Sequence, residues 1–221
     1  IAMASPLAVI SHTDGVTKVE KNNIVKTTQV DPFDLIGVLL SELLTDTSEL
    51  VEAQGIPFTG GAAGLFGYDL GRSIESIPST ASADISMEHL CIGIYPWAII
   101  TDHELQKSYL VSQLDALSTQ NLTENILQIK PFQGKGFSLK SDFVSNMTKK
   151  QYADKFDRVI DYIHAGDCYQ VCLAQRFEAP YNGNPWQAYK QLRMASPTPF
   201  SAYMETQEGA LLSLSPERFL Q

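Results

Sequence analysis

The sequence predicts an α+β fold, mostly antiparallel sheets with flanking helices, and three observations carry that expectation. Apolar, β-compatible runs come in pairs joined by turn residues, amphipathic helical stretches separate the pairs, and no strand–helix–strand unit repeats. The chain of 221 residues is 44% hydrophobic, enough to bury a sizeable core in one large domain or two small ones.

Taken in order, Ile1 to Ile10 reads as a first strand, and the turn-forming Asp14-Gly15 leads into a second from Val16 to Ile24. Asp31-Pro32 is a strong helix start, with the aspartate as N-cap and the proline at the first helical position. Phe33, Ile36, Leu39, Leu40 and Leu43 follow at helical spacing, so one face of Pro32 to Leu44 is expected in the core. The run from Pro57 to Arg72 then carries Gly60, Gly61, Gly64, Gly67 and Gly71. That many glycines suit a backbone that bends or approaches something closely, and a Gly-rich strand packed on a neighbour is the expectation. A phosphate cradle is the alternative, but the run lacks both the Gly-Lys-Ser/Thr of a P-loop and a Gly-x-Gly turn feeding a helix.

Leu90 to Thr101 and Leu105 to Ser112, separated by Asp102-His103-Glu104, read as a hairpin. Residues 113 to 147 are polar and poor in aromatics, so a surface connection with a short helix is expected there, and a domain boundary near 140. Thr148 and Gln151 have the spacing of a capping box, Tyr152, Phe156, Val159, Ile160 and Ile163 repeat on one face, and Gly166 is placed to stop the helix. Gln170 to Glu178 alternates as a strand does. Asn184-Pro185 opens another helix to about Met194, and Phe200 to Thr206 turns at Gln207-Glu208-Gly209 into Ala210 to Leu214.

Charge narrows the partners. With 16 Lys and Arg against 25 Asp and Glu the net charge is -9, so the chain has no general attraction for nucleic acid or for anionic lipid, and neither is an expected partner. An anionic substrate would need local donors in a pocket. Cys91, Cys168 and Cys172 are too few for a disulfide framework, and no other His or Cys pair completes a four-ligand metal site around Cys168 and Cys172. No apolar run approaches the ~20 residues that span a bilayer and no signal peptide is visible, so a cytoplasmic location is expected. The chain opens on Ile1 inside one apolar segment and closes just after another, as a piece of a longer protein would.

Polar groups gather at two expected strand ends, Gly166-Asp167-Cys168-Tyr169-Gln170 with Gln175-Arg176, and Ser213 to Phe219. Two readings of Arg176 stand: a core ion pair, or a ligand contact. Glu217 likewise has two: a surface pair with Arg218, or a carboxyl whose proton affinity is raised for use as a general acid.

Gly60 to Arg72, Gly166-Asp-Cys-Tyr-Gln-Val-Cys-Leu-Ala-Gln-Arg-Phe177 and Leu214-Ser-Pro-Glu-Arg-Phe219, three motifs in one order, resemble the chorismate-utilising enzymes. The form Leu65-Phe-Gly-Tyr-Asp-Leu-Gly-Arg72 is most similar to the aminodeoxychorismate synthase component I branch. The resemblance implies part of an anthranilate synthase component I-like fold, with an N-terminal region at 1–140 and the start of the chorismate-binding region at 141–221. It implies that Glu217 is the general acid that helps the chorismate 4-hydroxyl depart, and that a tryptophan pocket uses Pro199, Phe200 and Ser201. It implies amination of chorismate to 4-amino-4-deoxychorismate, in folate and p-aminobenzoate synthesis, with ammonia from a glutamine amidotransferase subunit. Three parts of the family pattern are expected outside this sequence: a nucleophilic Lys in Pro-Ile-Lys-Gly-Thr, the carboxylates that hold Mg²⁺, and the Ser-bearing wall of the tryptophan pocket. This chain by itself is therefore expected to be inactive. Cys172 stands where the family pattern has Asn, and a thiol does not make the same hydrogen bonds. Two alternatives are an anthranilate-forming enzyme and a non-catalytic module that docks the glutaminase or binds tryptophan.

Overall fold

The computed structural model describes residues 1–47, 55–80, 84–132, 134 and 136–220. The chain divides into two compact units, Ile1–Pro131 with Thr206–Gly209, and Phe132–Glu205 with Ala210–Gln221.

The first unit is built on a five-stranded antiparallel sheet of order β3-β2-β1-β5-β4, made of β1 (Ala8–Thr13), β2 (Val16–Lys21), β3 (Ile24–Thr28), β4 (Gly61–Phe66) and β5 (Leu90–Tyr95). Cross-strand pairs Ala8↔Ile94, Ile10↔Ile92 and Ile10↔Val19 set one face of alternating apolar residues inward. Helix α1 (Pro32–Leu43) covers that face: Ile10, Leu90, Ile92 and Ile94 are fully buried with Leu39, and Leu35, Ile36, Leu40 and Leu43 pack around them. The helix begins as expected. The Asp31 carboxylate accepts hydrogen bonds from the Phe33 and Asp34 amides at 2.8 and 3.3 Å, with Pro32 in the first turn.

Buried polarity on this face is satisfied within it. Thr17 donates its hydroxyl proton to the Val30 carbonyl at 3.2 Å, so the hydrogen between His12 Nδ1 and Thr17 Oγ1, 2.9 Å apart, belongs to the imidazole.

Three strand limits differ from the sequence expectation. The first strand starts at Ala8 rather than Ile1, because Ser5 has φ 53 and Pro6 follows it; Ala2 makes only an isolated bridge to Ile99. The run from Val16 to Ile24 is two strands, since Asn22 and Asn23 (φ 53 and 61) form a two-residue hairpin turn of the kind asparagine tolerates. Leu90 to Thr101 is also two. Pro96, which has no N–H to donate, separates β5 from β6 (Trp97–Asp102), and β6 pairs instead with β7 (Lys107–Ser112).

The Gly-rich run is a strand packed on its neighbour, as expected. Glycine is required at 64, where an added Cβ would lie 2.0 Å from the Cys91 carbonyl oxygen. After β4, a 3₁₀ turn (Tyr68–Leu70) leads into α2 (Gly71–Ile74). Arg72 donates to Asp69 at 2.9 Å and to the Ile77 and Pro78 carbonyls, so both charged residues of this signature are engaged in holding the following turn. Gln113 ties the start of the strand down: it accepts from the Thr45 amide at 2.8 Å and donates to the Thr59 carbonyl at 2.9 Å. The short helix expected near 113–147 is a 13-residue one, α3 (Ala116–Gln128), capped by Asp115, whose carboxyl is held below its ordinary range by the hydrogen bonds from Ser118.

Cys91 is half-buried on β5, and burial together with the neighbouring Glu88 carboxylate pushes its thiol up to about 12. Iodoacetamide near pH 8 is therefore expected to label the exposed Cys172 well before Cys91, as peptide mass mapping of partially modified protein would register. The same shift sets a sign for stability. The folded thiol keeps its proton up to about 12 while the unfolded one loses it near 9.0, so Cys91's contribution is intact below 9.0 and is lost as pH rises from there toward 12.

In the second unit, helix α4 (Lys149–Ala165) has the expected ends. The Thr148 amide donates to Gln151 at 2.8 Å, the Gln151 amide donates to Thr148 Oγ1 at 3.2 Å, and Gly166 closes the helix at φ 80. Its apolar face is only partly covered: Tyr152, Val159 and Ile160 are half-buried, while Phe156 is 48% and Ile163 37% exposed. The strand expected over Gln170–Glu178 is reduced to β10 (Phe177–Glu178), paired with β9 (Val144–Ser145). Alternation is a property of one segment, but a strand needs a ladder partner, and the described residues supply one only at 177 and 178. A further pair joins β8 (Ser138–Leu139) and β11 (Tyr181–Asn182).

Helix α5 (Pro185–Ala195), capped by Asn184, lies against the hairpin of β12 (Phe200–Glu205) and β13 (Ala210–Ser215). Trp186, Tyr189 and Tyr203 form an aromatic cluster with ring centroids 5.0 to 5.6 Å apart. Burial, aided by a 2.7 Å hydrogen bond to Glu205, pushes the Tyr203 phenol up to about 12.

Candidate functional site

The ends of β12 and β13 bring the sequence-predicted residues of this chain to one place. Phe200 opens β12 and pairs across the hairpin with Ser215, the last residue of β13, so the Pro199-Phe200-Ser201 element lies beside the Ser215-Pro216-Glu217-Arg218 turn. The register that does this is fixed by the turn at Thr206–Gly209, where the two backbones exchange hydrogen bonds and Gly209 has φ 153.

The turn that carries Glu217 is held by Ser215. Its hydroxyl oxygen accepts from the Glu217 amide at 3.2 Å and its proton goes to the Glu217 carbonyl at 2.9 Å. Both backbone groups of Glu217 are thereby engaged, while its side chain is exposed at the strand end. The surface-pair reading of Glu217 and Arg218 is not what forms. No ion pair joins them among the described residues, and the Arg218 guanidinium lies over the Phe200 ring, 5.3 Å from its centroid.

On the neighbouring side of β12 the Ser201 hydroxyl donates to the Thr198 carbonyl at 2.9 Å and lies 2.6 Å from the Thr198 hydroxyl. Ser201 faces the same side of the hairpin as Tyr203 and Leu214, whereas Phe200, 37% exposed, faces the other with Ser215. The three residues expected to share a pocket thus present two different faces.

The second polar cluster is more loosely built. Gln175 donates to Ser145 at 2.8 Å, and Arg176 exchanges backbone hydrogen bonds with Asn146, its amide donating to the Asn146 side chain and its carbonyl accepting from the Asn146 amide. Among the described residues no group of three or more His, Cys, Asp or Glu side chains is arranged to hold a metal ion. Nor, among those residues, is any helix long and apolar enough to cross a membrane.

Ser215 and Arg218 lie in a motif the sequence named, but the parts they play in the site were not read from it. Ser215 was legible in principle, since Ser before Pro marks a turn. The seat of Arg218 on Phe200 was not, because it depends on a pairing across the hairpin.

A family model described as chorismate binding enzyme matches residues 8–221. Aminodeoxychorismate synthase component 1 of Escherichia coli (strain K12) is 42% identical over all of this chain and 47% of its own length. Anthranilate synthase component 1 of Lactococcus lactis is 28% identical, again over all of this chain and 49% of its own. A crystal structure of anthranilate synthase component I from Streptococcus pneumoniae superimposes with a TM-score of 0.79 at 24% identity, covering 97% of this chain and 49% of that one. The chain spans about half the length of the curated relatives it matches.

Proposed function

Because the chain belongs to the chorismate-binding enzyme family, we propose that it forms part of a subunit that aminates chorismate to 4-amino-4-deoxychorismate. One observation carries the choice of product. The identity to aminodeoxychorismate synthase component 1 is 42%, against 28% to anthranilate synthase component 1, each over the whole of this chain.

Glu217 is the acid of this reaction: its carboxyl gives a proton to the 4-hydroxyl of chorismate, which leaves as water while the C–O bond breaks. Its exposed position on a pinned turn suits that task, since the side chain is free to meet a ligand while its backbone stays fixed. The incoming amine comes from ammonia released by a glutamine amidotransferase partner, and the enzyme works in the cytoplasm. The nucleophilic Lys, and any Mg²⁺ with the carboxylates that hold it, belong to the remainder of the protein. Tryptophan is the proposed ligand of the Pro199, Phe200 and Ser201 element, in which Phe200 is 37% exposed.

The full-length protein, given chorismate and ammonium with and without L-tryptophan, is expected to yield 4-amino-4-deoxychorismate by mass. Anthranilate as the product would overturn the reading.

A further inference from the structure

The Phe200↔Ser215 pair supplies two anchors for one turn. Ser215 holds the backbone of Glu217 on one side, and Phe200 seats the side chain of Arg218, the next residue, on the other. Pro216, between Ser215 and Glu217, has its φ fixed by its ring. Glu217 is exposed, and no side-chain hydrogen bond or ion pair of its carboxylate is found among the described residues. Its direction is therefore set by the backbone on either side of it. Ser215 and Pro216 fix the backbone before the carboxyl, and after it the first fixed point is the guanidinium 5.3 Å from the ring centroid.

From this arrangement we propose that Arg218, seated on Phe200, is a positioning residue that aims the Glu217 carboxyl at the departing hydroxyl. The proposal rests on the reading of Glu217 as the acid in chorismate amination. It assigns Arg218 no contact with substrate. Its effect is on how often the proton donor is in line, and a small misplacement of a catalytic group is enough to slow the chemical step. The guanidinium–ring contact is one of modest strength at an exposed position, so the loss expected is modest too.

Steady-state kinetics of the full-length protein with ammonium and chorismate test it. Arg218→Ala and Phe200→Leu are each expected to lower kcat about five- to tenfold with KM within about twofold, and the double variant to fall no further than either alone. Arg218→Lys and Phe200→Tyr keep a cation over a ring and are expected to recover most of the rate, which also separates positioning from damage to the fold. If Glu217→Gln is inactive while Arg218→Ala keeps its full kcat, or if the two losses multiply in the double variant, the positioning role is wrong and the acid stands. If Glu217→Gln keeps full activity, the acid assignment fails and takes the positioning role with it.

Discussion

Replacing Glu217 by Gln in the full-length protein is expected to lower kcat for chorismate amination by about 10²- to 10⁴-fold, with chorismate still bound. Glutamine keeps the shape and the hydrogen-bonding reach of the side chain but has no acidic proton to give a departing hydroxyl. The turn tolerates the change, because Ser215 holds the backbone of residue 217 and not its carboxylate. Stability should therefore stay within about 0.5 kcal/mol of the parent, as for an exposed substitution that removes no packing. The check is the product formed per unit time at saturating chorismate and ammonium, measured by mass, alongside a thermal unfolding curve. A variant that turns over at the parental rate would show that the proton comes from elsewhere, and the functional reading of this strand end would go with it.

What the sequence made legible was local. Asp31-Pro32, the Thr148 and Gln151 capping box and the Gly209 turn each work through hydrogen bonds or backbone angles within a few residues, and each is where the sequence puts it. The two asparagines that turn β2 into β3 were also local signals, and were missed because Val16 to Ile24 looks continuous when only its alternation is read. What the sequence did not make legible needs a second segment. Gln170 to Glu178 alternates well, yet whether it is a strand depends on a neighbour that the described residues provide only at Phe177 and Glu178. Phe156 and Ile163 stand at core spacing on α4, but periodicity says which face is apolar and not what covers it. The candidate site follows the same division. Glu217, Pro199, Phe200 and Ser201 were named from motifs, whereas Arg218 over Phe200 follows from the register of β12 on β13, which the sequence constrained without stating which side chains would meet.

Gly64→Ala is expected to cost about 3 kcal/mol or more of stability, the largest folding effect of any single methyl added to the Gly-rich run. The new Cβ would stand 2.0 Å from the Cys91 carbonyl oxygen and 2.9 Å from Ile92 Cα, and both obstacles are backbone of the paired strand. A side chain could rotate away, but a backbone can move only by breaking the β4–β5 ladder beside Leu65↔Cys91 and Gly64↔Ile92. Because Ile92 is fully buried at the centre of the core, the strain reaches the layer packed under α1. At the usual scale of a few degrees per kcal/mol the melting transition of this unit should fall by roughly 10 °C. Gly71→Ala is the matched control within the same signature. Gly71 has ordinary helical angles, φ -54 and ψ -23, and the nearest atom to an added Cβ is Ile77 Cδ1 at 3.9 Å, so the change should be neutral or stabilising by about 0.5 kcal/mol. Hydrogen exchange across Gly61–Phe66 and Leu90–Tyr95 in the full-length protein distinguishes the two, with faster exchange expected only in Gly64→Ala. Equal protection in both variants would mean that glycine at 64 is not needed for this packing. The contrast, if it appears, ties this glycine to the close approach of two strands, while Asp69 and Arg72 are already engaged in the turn that follows.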